Sequence, residues 1–140
     1  MKNIGIVYAI LASIVWGLDY VILQKTLVKI SPIALLLVQS LITVIVLLPF
    51  AFTNFESVRS LDKTALFLIV LSSITLVLAN FLIFSSIKLL GAPMASVIEI
   101  SYPFFVTLFA FLFFRTPLNW FFFLGAIFIF IGSLIIIKLA

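Results

Sequence analysis

Residues 91–115 read GAPMASVIEISYPFFVTLFAFLFFR, and this stretch decides the fold. It is long enough to cross a bilayer, since a transmembrane helix needs about 20 mostly apolar residues. It nevertheless carries a carboxylate, Glu99, and a proline, Pro103, four residues apart. In a helix the N–H of residue 103 would donate to the carbonyl of residue 99, but proline has no N–H. We therefore predict a helix break at Pro103, with a titratable side chain and a free carbonyl at one place.

Glu99 is the first candidate for a functional residue. A buried charge costs roughly 3 kcal/mol on membrane-insertion scales, against roughly −0.3 to −0.6 kcal/mol for each large apolar residue. The apolar residues around Glu99 outweigh that cost, so the helix should still insert. An ionisable residue inside a membrane helix is by default a candidate for binding substrate or protons. The alternative role is structural, a hydrogen bond that holds the weakened helix.

The composition of the whole chain indicates a protein that is surrounded by lipid. Hydrophobic residues make up 66% of the 140 residues and charged residues only 9%, against about 25% charged in soluble domains. The absence of cysteine and histidine removes thiol chemistry and the commonest metal ligands. We therefore expect no enzyme, no cofactor and no metal, and the lack of a basic run argues against a nucleic-acid partner. The four carboxylates are Asp19, Glu56, Asp62 and Glu99.

Five segments are apolar and long enough to span a membrane, which predicts an all-α integral membrane protein with a bundle of five transmembrane helices. We assign residues 1–140 to this single domain. The first segment resembles a signal peptide, but no convincing cleavage site follows it, so we interpret it as a retained helix. The short RTP joint makes the last two helices antiparallel neighbours. The predicted helices cover residues 4–23, 32–52, 64–84, 92–114 and 118–137.

Basic residues are evenly divided between the two sides of the membrane. Five spans put the termini on opposite sides, and the eight lysines and arginines then divide four and four. The positive-inside rule gives no orientation for such a chain. Either another feature decides the orientation, or the chain inserts both ways and pairs with an inverted copy of itself. The two sets are Lys2, Arg59, Lys63 and Arg115 on the N-terminal side and Lys25, Lys29, Lys88 and Lys138 on the other.

The most polar residues of the first four helices fall at one depth. With a rise of about 1.5 Å per residue, they lie roughly 6–10 Å from the membrane face that carries the first loop. Polar side chains in membranes face the bundle interior or a wet cavity. We therefore predict a polar cavity that binds substrate or protons, with amphipathic aromatic residues in its wall. The predicted site residues are Trp16, Asp19, Tyr20, Gln39, Asn80, Glu99 and Tyr102.

Structural roles are the alternatives for most of these residues. Asp19 could reach the interface or pair with Lys25, the two amides could hydrogen-bond between helices, and the aromatic residues could be packing or belt residues. Gly125 and Gly132 lie seven residues apart in the fifth helix, with Ala126 and Ser133 beside them. We interpret this stripe of small residues as a helix-packing surface rather than a ligand contact.

Several motifs occur along the chain: Trp16-Gly17, Ser31-Pro32, Gly91-Ala92 with Ala95 before Pro103, and Gly125 with Gly132. In their order and spacing these motifs resemble the drug/metabolite transporter superfamily, and within it the EamA-like five-helix domain. This resemblance implies export or exchange of small metabolites or drugs without ATP hydrolysis. Typical members carry two such domains of opposite topology, so the chain resembles a half-size, single-domain member. A homodimer, parallel or antiparallel, would rebuild the two-domain transporter, and so would a pair with a related half-size chain. The transport site would then lie at the interface between the two chains.

The sequence departs from the family pattern at several positions. Gln39 stands where the family often has a basic residue, and Thr116 stands where many members have a glutamate. Gln24 or Lys25 is the nearest counterpart of a basic residue at the end of the first helix. Asp19 stands where small polar residues are common. The loss of a basic residue at Gln39 and the gain of a carboxylate at Asp19 make the cavity more negative, which favours cationic or amine-bearing substrates.

We therefore expect a transporter of small metabolites or drug-like compounds that works by alternating access as a dimer, coupled to protons or to exchange. Glu99 is the leading candidate for the coupling residue and Asp19 the second, because a carboxyl group removed from water binds a proton more readily. The alternatives are a non-transporting membrane subunit and a subunit of a lipid-linked sugar flippase. The expected surroundings are the lipid bilayer of a prokaryotic cytoplasmic (inner) membrane.

Overall fold

The computed structural model describes residues 2–117 and 119–139. Within these residues the chain forms six α-helices and no strand. Five stretches of helix are long and apolar enough to cross a membrane, which confirms the predicted all-α bundle of five spans. The helices are α1 (Lys2–Leu27), α2 (Pro32–Arg59), α3 (Lys63–Leu90), α4 (Ala92–Glu99), α5 (Tyr102–Phe114) and α6 (Trp120–Leu139).

The first three helices run beyond the spans predicted from hydropathy. They end at Leu27, Arg59 and Leu90 rather than at residues 23, 52 and 84. Hydropathy reports the transfer of side chains into lipid, whereas a helix ends where its backbone ladder meets a cap or a turn. The last helix begins at Trp120, and residue 118, its predicted start, lies outside the described residues.

The fourth span is one membrane crossing built from two helices. Between α4 and α5, Ile100 and Ser101 form a turn, in which the Ser101 N–H donates to the Ile98 carbonyl at 3.2 Å. Pro103 lies in the first turn of α5, where a missing N–H is tolerated. The helix therefore stops at Glu99 and restarts before the proline.

A one-residue turn joins α3 to α4. Gly91 has φ +82°, a backbone conformation that glycine adopts without steric cost. The Gln24 side chain of α1 closes this turn, since its Oε1 accepts a hydrogen bond from the Ala92 N–H at 2.7 Å. Lys88 of α3 donates to the Ile30 carbonyl at 3.0 Å. Contacts from α1 and its following loop thus fix the end of α3 and the start of α4.

The buried core occupies only this end of the bundle, which we term the packed end. Leu23, Leu27 and Ile87 are almost fully buried there. In contrast, residues 3–18 of α1, 41–59 of α2 and 66–79 of α3 are exposed throughout. The other halves of these helices therefore face lipid or a partner. The core consists of Tyr20, Leu23, Leu27, Leu35, Leu36, Phe84, Ile87, Ala92 and Ala95.

The helices divide into a central group and a lateral pair. Helix α3 packs against α1, α2 and α4, and α4 also contacts α1 and α6. After the turn at residues 100–101, α5 packs chiefly against α6. Ser133 of α6 donates to the Val97 carbonyl of α4 at 2.8 Å, close to the place where the backbone ladder is interrupted. A side chain of the lateral pair thus satisfies a carbonyl near the helix break, which lipid could not do.

The bond between Gln24 and the Ala92 N–H gives a test of the packed end. We expect Gln24→Leu to lower the free energy of unfolding by about 1 kcal/mol, because the first N–H of α4 loses its partner. Gln24→Glu is the matched control, since it keeps an acceptor and adds a negative charge that a helix N-terminus favours. Reversible unfolding in mixed detergent micelles measures both. Equal stability of the Leu variant and the original protein would contradict a stabilising role for the hydrogen bond between Gln24 and the Ala92 N–H.

Candidate functional site

A groove of about 460 Å³ lies between α1, α2 and α3, next to the packed end. This volume falls in the range of small-molecule sites, about 300–1,000 Å³. Phe84 belongs both to the groove and to the buried core, so the core forms the floor of the groove. The groove is lined by Trp16, Asp19, Gln39, Ile42, Thr43, Asn80 and Phe84.

Helical spacing explains why these residues share one surface. Trp16 and Asp19 are three residues apart on α1, and Gln39 and Thr43 are four apart on α2. Residues three or four apart lie on the same face of a helix. Asn80 of α3 likewise lies one turn before the floor residue Phe84. Each of the three helices therefore contributes one polar strip to the groove.

Asp19 is the only ionisable side chain among the described lining residues. It is partly buried, and Lys25, its suggested partner, does not line the groove. Asn80 donates to the Leu76 carbonyl of its own helix at 2.9 Å rather than to a neighbouring helix. Within residues 2–117 and 119–139, no three carboxylates come together as metal ligands.

A second polar contact lies behind the groove wall. The buried Tyr20 of α1 donates a hydrogen bond from its hydroxyl to Oε2 of Glu99, at the end of α4. The Tyr20 ring also meets the ring of Trp16 edge-on, with centroids 6.0 Å apart and an interplanar angle of 82°. Because Trp16 lines the groove, the contacts Trp16–Tyr20–Glu99 lead from the groove to the carboxylate beside the helix break.

The structure therefore divides the predicted site residues between two places. Four of them lie in the groove, whereas Tyr20 and Glu99 form the contact behind it. Tyr102 is 60% exposed and does not line the groove. The groove does not bring all seven residues together, because successive residues of a helix point about 100° apart. The four in the groove are Trp16, Asp19, Gln39 and Asn80.

The glycine stripe of α6 does not form the packing surface within this chain. Gly125 is exposed, and a methyl group added at Gly125 or Gly132 would meet no atom within 4 Å. The buried residues of α6 are Ala126 and Ser133, one position further along. Close approach is achieved there because the Ser133 hydroxyl bonds to the backbone of α4. Thr116 is exposed in the loop after α5, away from the groove.

Some contacts that shape this region are not predicted by the sequence. Thr43 could have been found, because it lies one turn after Gln39 on the same helix face. The sequence relates Gln24 only to a basic residue that the family has at the end of the first helix. Its hydrogen bond with the Ala92 N–H could not be predicted, because it depends on which turn meets α1 in the folded chain. Ser133 belongs to the predicted stripe of small residues, but its hydrogen bond to the backbone of α4 has no signal in the sequence.

Comparison with known proteins identifies the family. The family model described as the EamA-like transporter family matches residues 3–138. This match covers nearly the whole chain, including all three helices of the groove and both partners of the Tyr20–Glu99 contact. No curated protein and no solved structure matches the chain.

Proposed function

The chain belongs to the EamA-like transporter family, and we propose that it moves a small metabolite or drug-like molecule across a prokaryotic cytoplasmic membrane by alternating access. One observation carries this proposal: a polar groove lies next to a packed end, while the other halves of α1, α2 and α3 are uncovered. A substrate site that is closed toward one side of the membrane and less enclosed toward the other is what one state of such a transporter requires.

We propose that the working unit is a dimer, because three helices of one chain enclose the groove only in part. The exposed halves of α1, α2 and α3 offer an apolar surface beside the groove. A second chain covering that surface would bring two grooves to one interface, as in transporters with inverted repeats. The equal division of basic residues, four and four, supports an inverted partner, since it gives neither orientation an advantage.

Glu99 is the residue that we propose for coupling. It is the last residue of α4, beside the turn at residues 100–101, and it accepts a hydrogen bond from the Tyr20 hydroxyl where α1 and α4 meet. A hydrogen bond to an ionised carboxylate is roughly twice as strong as one between neutral groups. Protonation of Glu99 would therefore weaken the contact between α1 and α4, which is part of the packed end. Through Trp16, a solute in the groove would act on the same Tyr20 ring.

The inverted dimer predicts two orientations of the chain in the membrane. The chain has no cysteine, so Leu139→Cys at the exposed end of α6 supplies one thiol without background and keeps all eight basic residues. We expect an impermeant thiol reagent applied to intact cells to label about half of the protein, because the two sides of the chain carry equal numbers of basic residues. The same reagent applied to lysed cells gives the total. Labelling of all or none would mean one orientation, which would contradict the inverted homodimer and favour a different partner chain.

The coupling role of Glu99 predicts that acid loosens the packed end. We expect a cysteine at the buried Ala92 to react with an impermeant reagent about fivefold faster, relative to one at the exposed Leu89, when the medium is acidified. The Leu89 control corrects for the pH dependence of thiol reactivity itself. Glu99→Gln should remove this pH dependence. If the ratio still changes with pH in the Glu99→Gln protein, another group is the coupling residue.

A further inference from the structure

The groove holds one carboxylate and two side-chain oxygens that are left to accept hydrogen bonds, and we propose that it binds a primary ammonium group on a small apolar or aromatic body. This inference deepens the proposed function and rests on it, because it names the class of solute that the transporter would carry. It depends on three features of the groove: its charge, the direction of its hydrogen bonds and its apolar floor.

The charge of the groove selects a cation. Asp19 lines the groove, and no described lysine or arginine does. The nearest basic residue along α1, Lys25, lies beyond the buried Leu23 toward the loop. A carboxylate that is partly withdrawn from water, without a cation beside it in the groove, attracts a cationic ligand and repels an anion.

Internal hydrogen bonds use a donor of Thr43 and a donor of Asn80 and leave the side-chain oxygens of both residues to accept, while the Gln39 amide can both donate and accept. The Thr43 hydroxyl donates to the Gln39 carbonyl at 2.8 Å, so its oxygen is left to accept. The Asn80 amide nitrogen donates to the Leu76 carbonyl at 2.9 Å, which fixes the amide and leaves its oxygen as an acceptor. An ammonium group has three donors and no acceptor, which complements the Asp19, Thr43 and Asn80 oxygens.

The apolar residues of the groove accommodate the body of the ligand. Phe84 and Ile42 contribute its apolar lining, and Phe84 is buried in the core beneath it. Trp16 is half exposed, at 51%, while the edge-on contact with Tyr20 orients its ring. An aromatic ring beside a carboxylate attracts a cation through its π-face, and it offers apolar surface against which an apolar group can be buried.

The same geometry discriminates among cations. A quaternary ammonium keeps the charge but has no N–H, so it would remove the Thr43 and Asn80 oxygens from water without bonding to them. Leaving buried acceptors unpaired is more costly than losing one hydrogen bond. The groove should therefore prefer a primary amine over its trimethylated form, whereas a site built from charge and aromatic faces alone would bind both.

Equilibrium binding to the intact chain in lipid vesicles tests this proposal. The chain has two tryptophans, and Trp120→Phe leaves Trp16 in the groove as the only indole reporter. The probes are 2-phenylethylammonium, its N,N,N-trimethyl derivative and 3-phenylpropionate, which share a benzene ring and differ in the head group. We expect a saturable change in Trp16 fluorescence with the primary amine. The trimethyl form should bind about tenfold more weakly or worse, and the carboxylate should not bind.

The side chains are tested in the same assay. Asp19→Asn should weaken binding of the primary amine by about tenfold or more. Glu56→Gln is the matched control, because it removes the same charge from an exposed residue of α2 outside the groove, and it should leave the affinity unchanged. Since the three probes are compared on the protein with Asp19 intact, the result does not depend on whether the Asp19 variant folds.

Each outcome supports or overturns the assignment. Equal affinity for the primary and trimethylated amines, an equal effect of the two charge-removing variants, or no saturable signal with the primary amine would overturn it. Failure of the proposed function looks different: the amine would bind as expected but cross vesicles that contain the protein no faster than protein-free vesicles. If the protein transports another solute but does not bind the amine, the proposed transport function stands and the amine ligand class is rejected.

Discussion

The structure depends on the contact that four helix ends make around Leu23, Leu27 and Ile87. In lipid, apolar side chains gain little by burial against one another, so helices associate through close packing and interhelical hydrogen bonds. This chain concentrates both at one end. The one-residue turn at Gly91 brings α3 and α4 together, and the Gln24 side chain caps α4 from α1. The rest of each helix is left to face lipid or a partner.

The groove and the helix break are arranged around that contact. The groove begins where the packed residues end, with Phe84 common to both. The break lies about one turn beyond the buried Ala95 of α4. Polar groups at these depths must be satisfied within the protein or by water, and the Tyr20–Glu99 and Ser133–Val97 hydrogen bonds do so across helices. A change in the packed end would therefore be felt at both the groove and the break, which is the physical basis of the coupling that we propose.

Composition and hydropathy were sufficient to predict the fold class, because a chain with so few charged residues can only be solvated by lipid. The rise per residue of a helix places Asp19, Gln39 and Asn80 at one depth, but depth alone does not give the direction in which a side chain points. Asp19 faces the groove while Tyr20, the next residue, is buried against α4. Only the rotation of each helix in the packed bundle separates such neighbours. The same reason explains why the packing positions of α6 are Ala126 and Ser133 rather than the adjacent glycines.

The central claim is that the packed end opens and closes as the protein works. Val28, the first residue after α1, and Leu89 of α3 are both exposed at this end. The chain has no cysteine, so spin labels at these two positions report one distance. The measurement is pulsed electron-spin resonance in lipid vesicles, with excess unlabelled protein to suppress distances between chains. Alternating access predicts two distance populations, one short and one longer, whose proportions change with pH. A single short distance under all conditions would contradict the account.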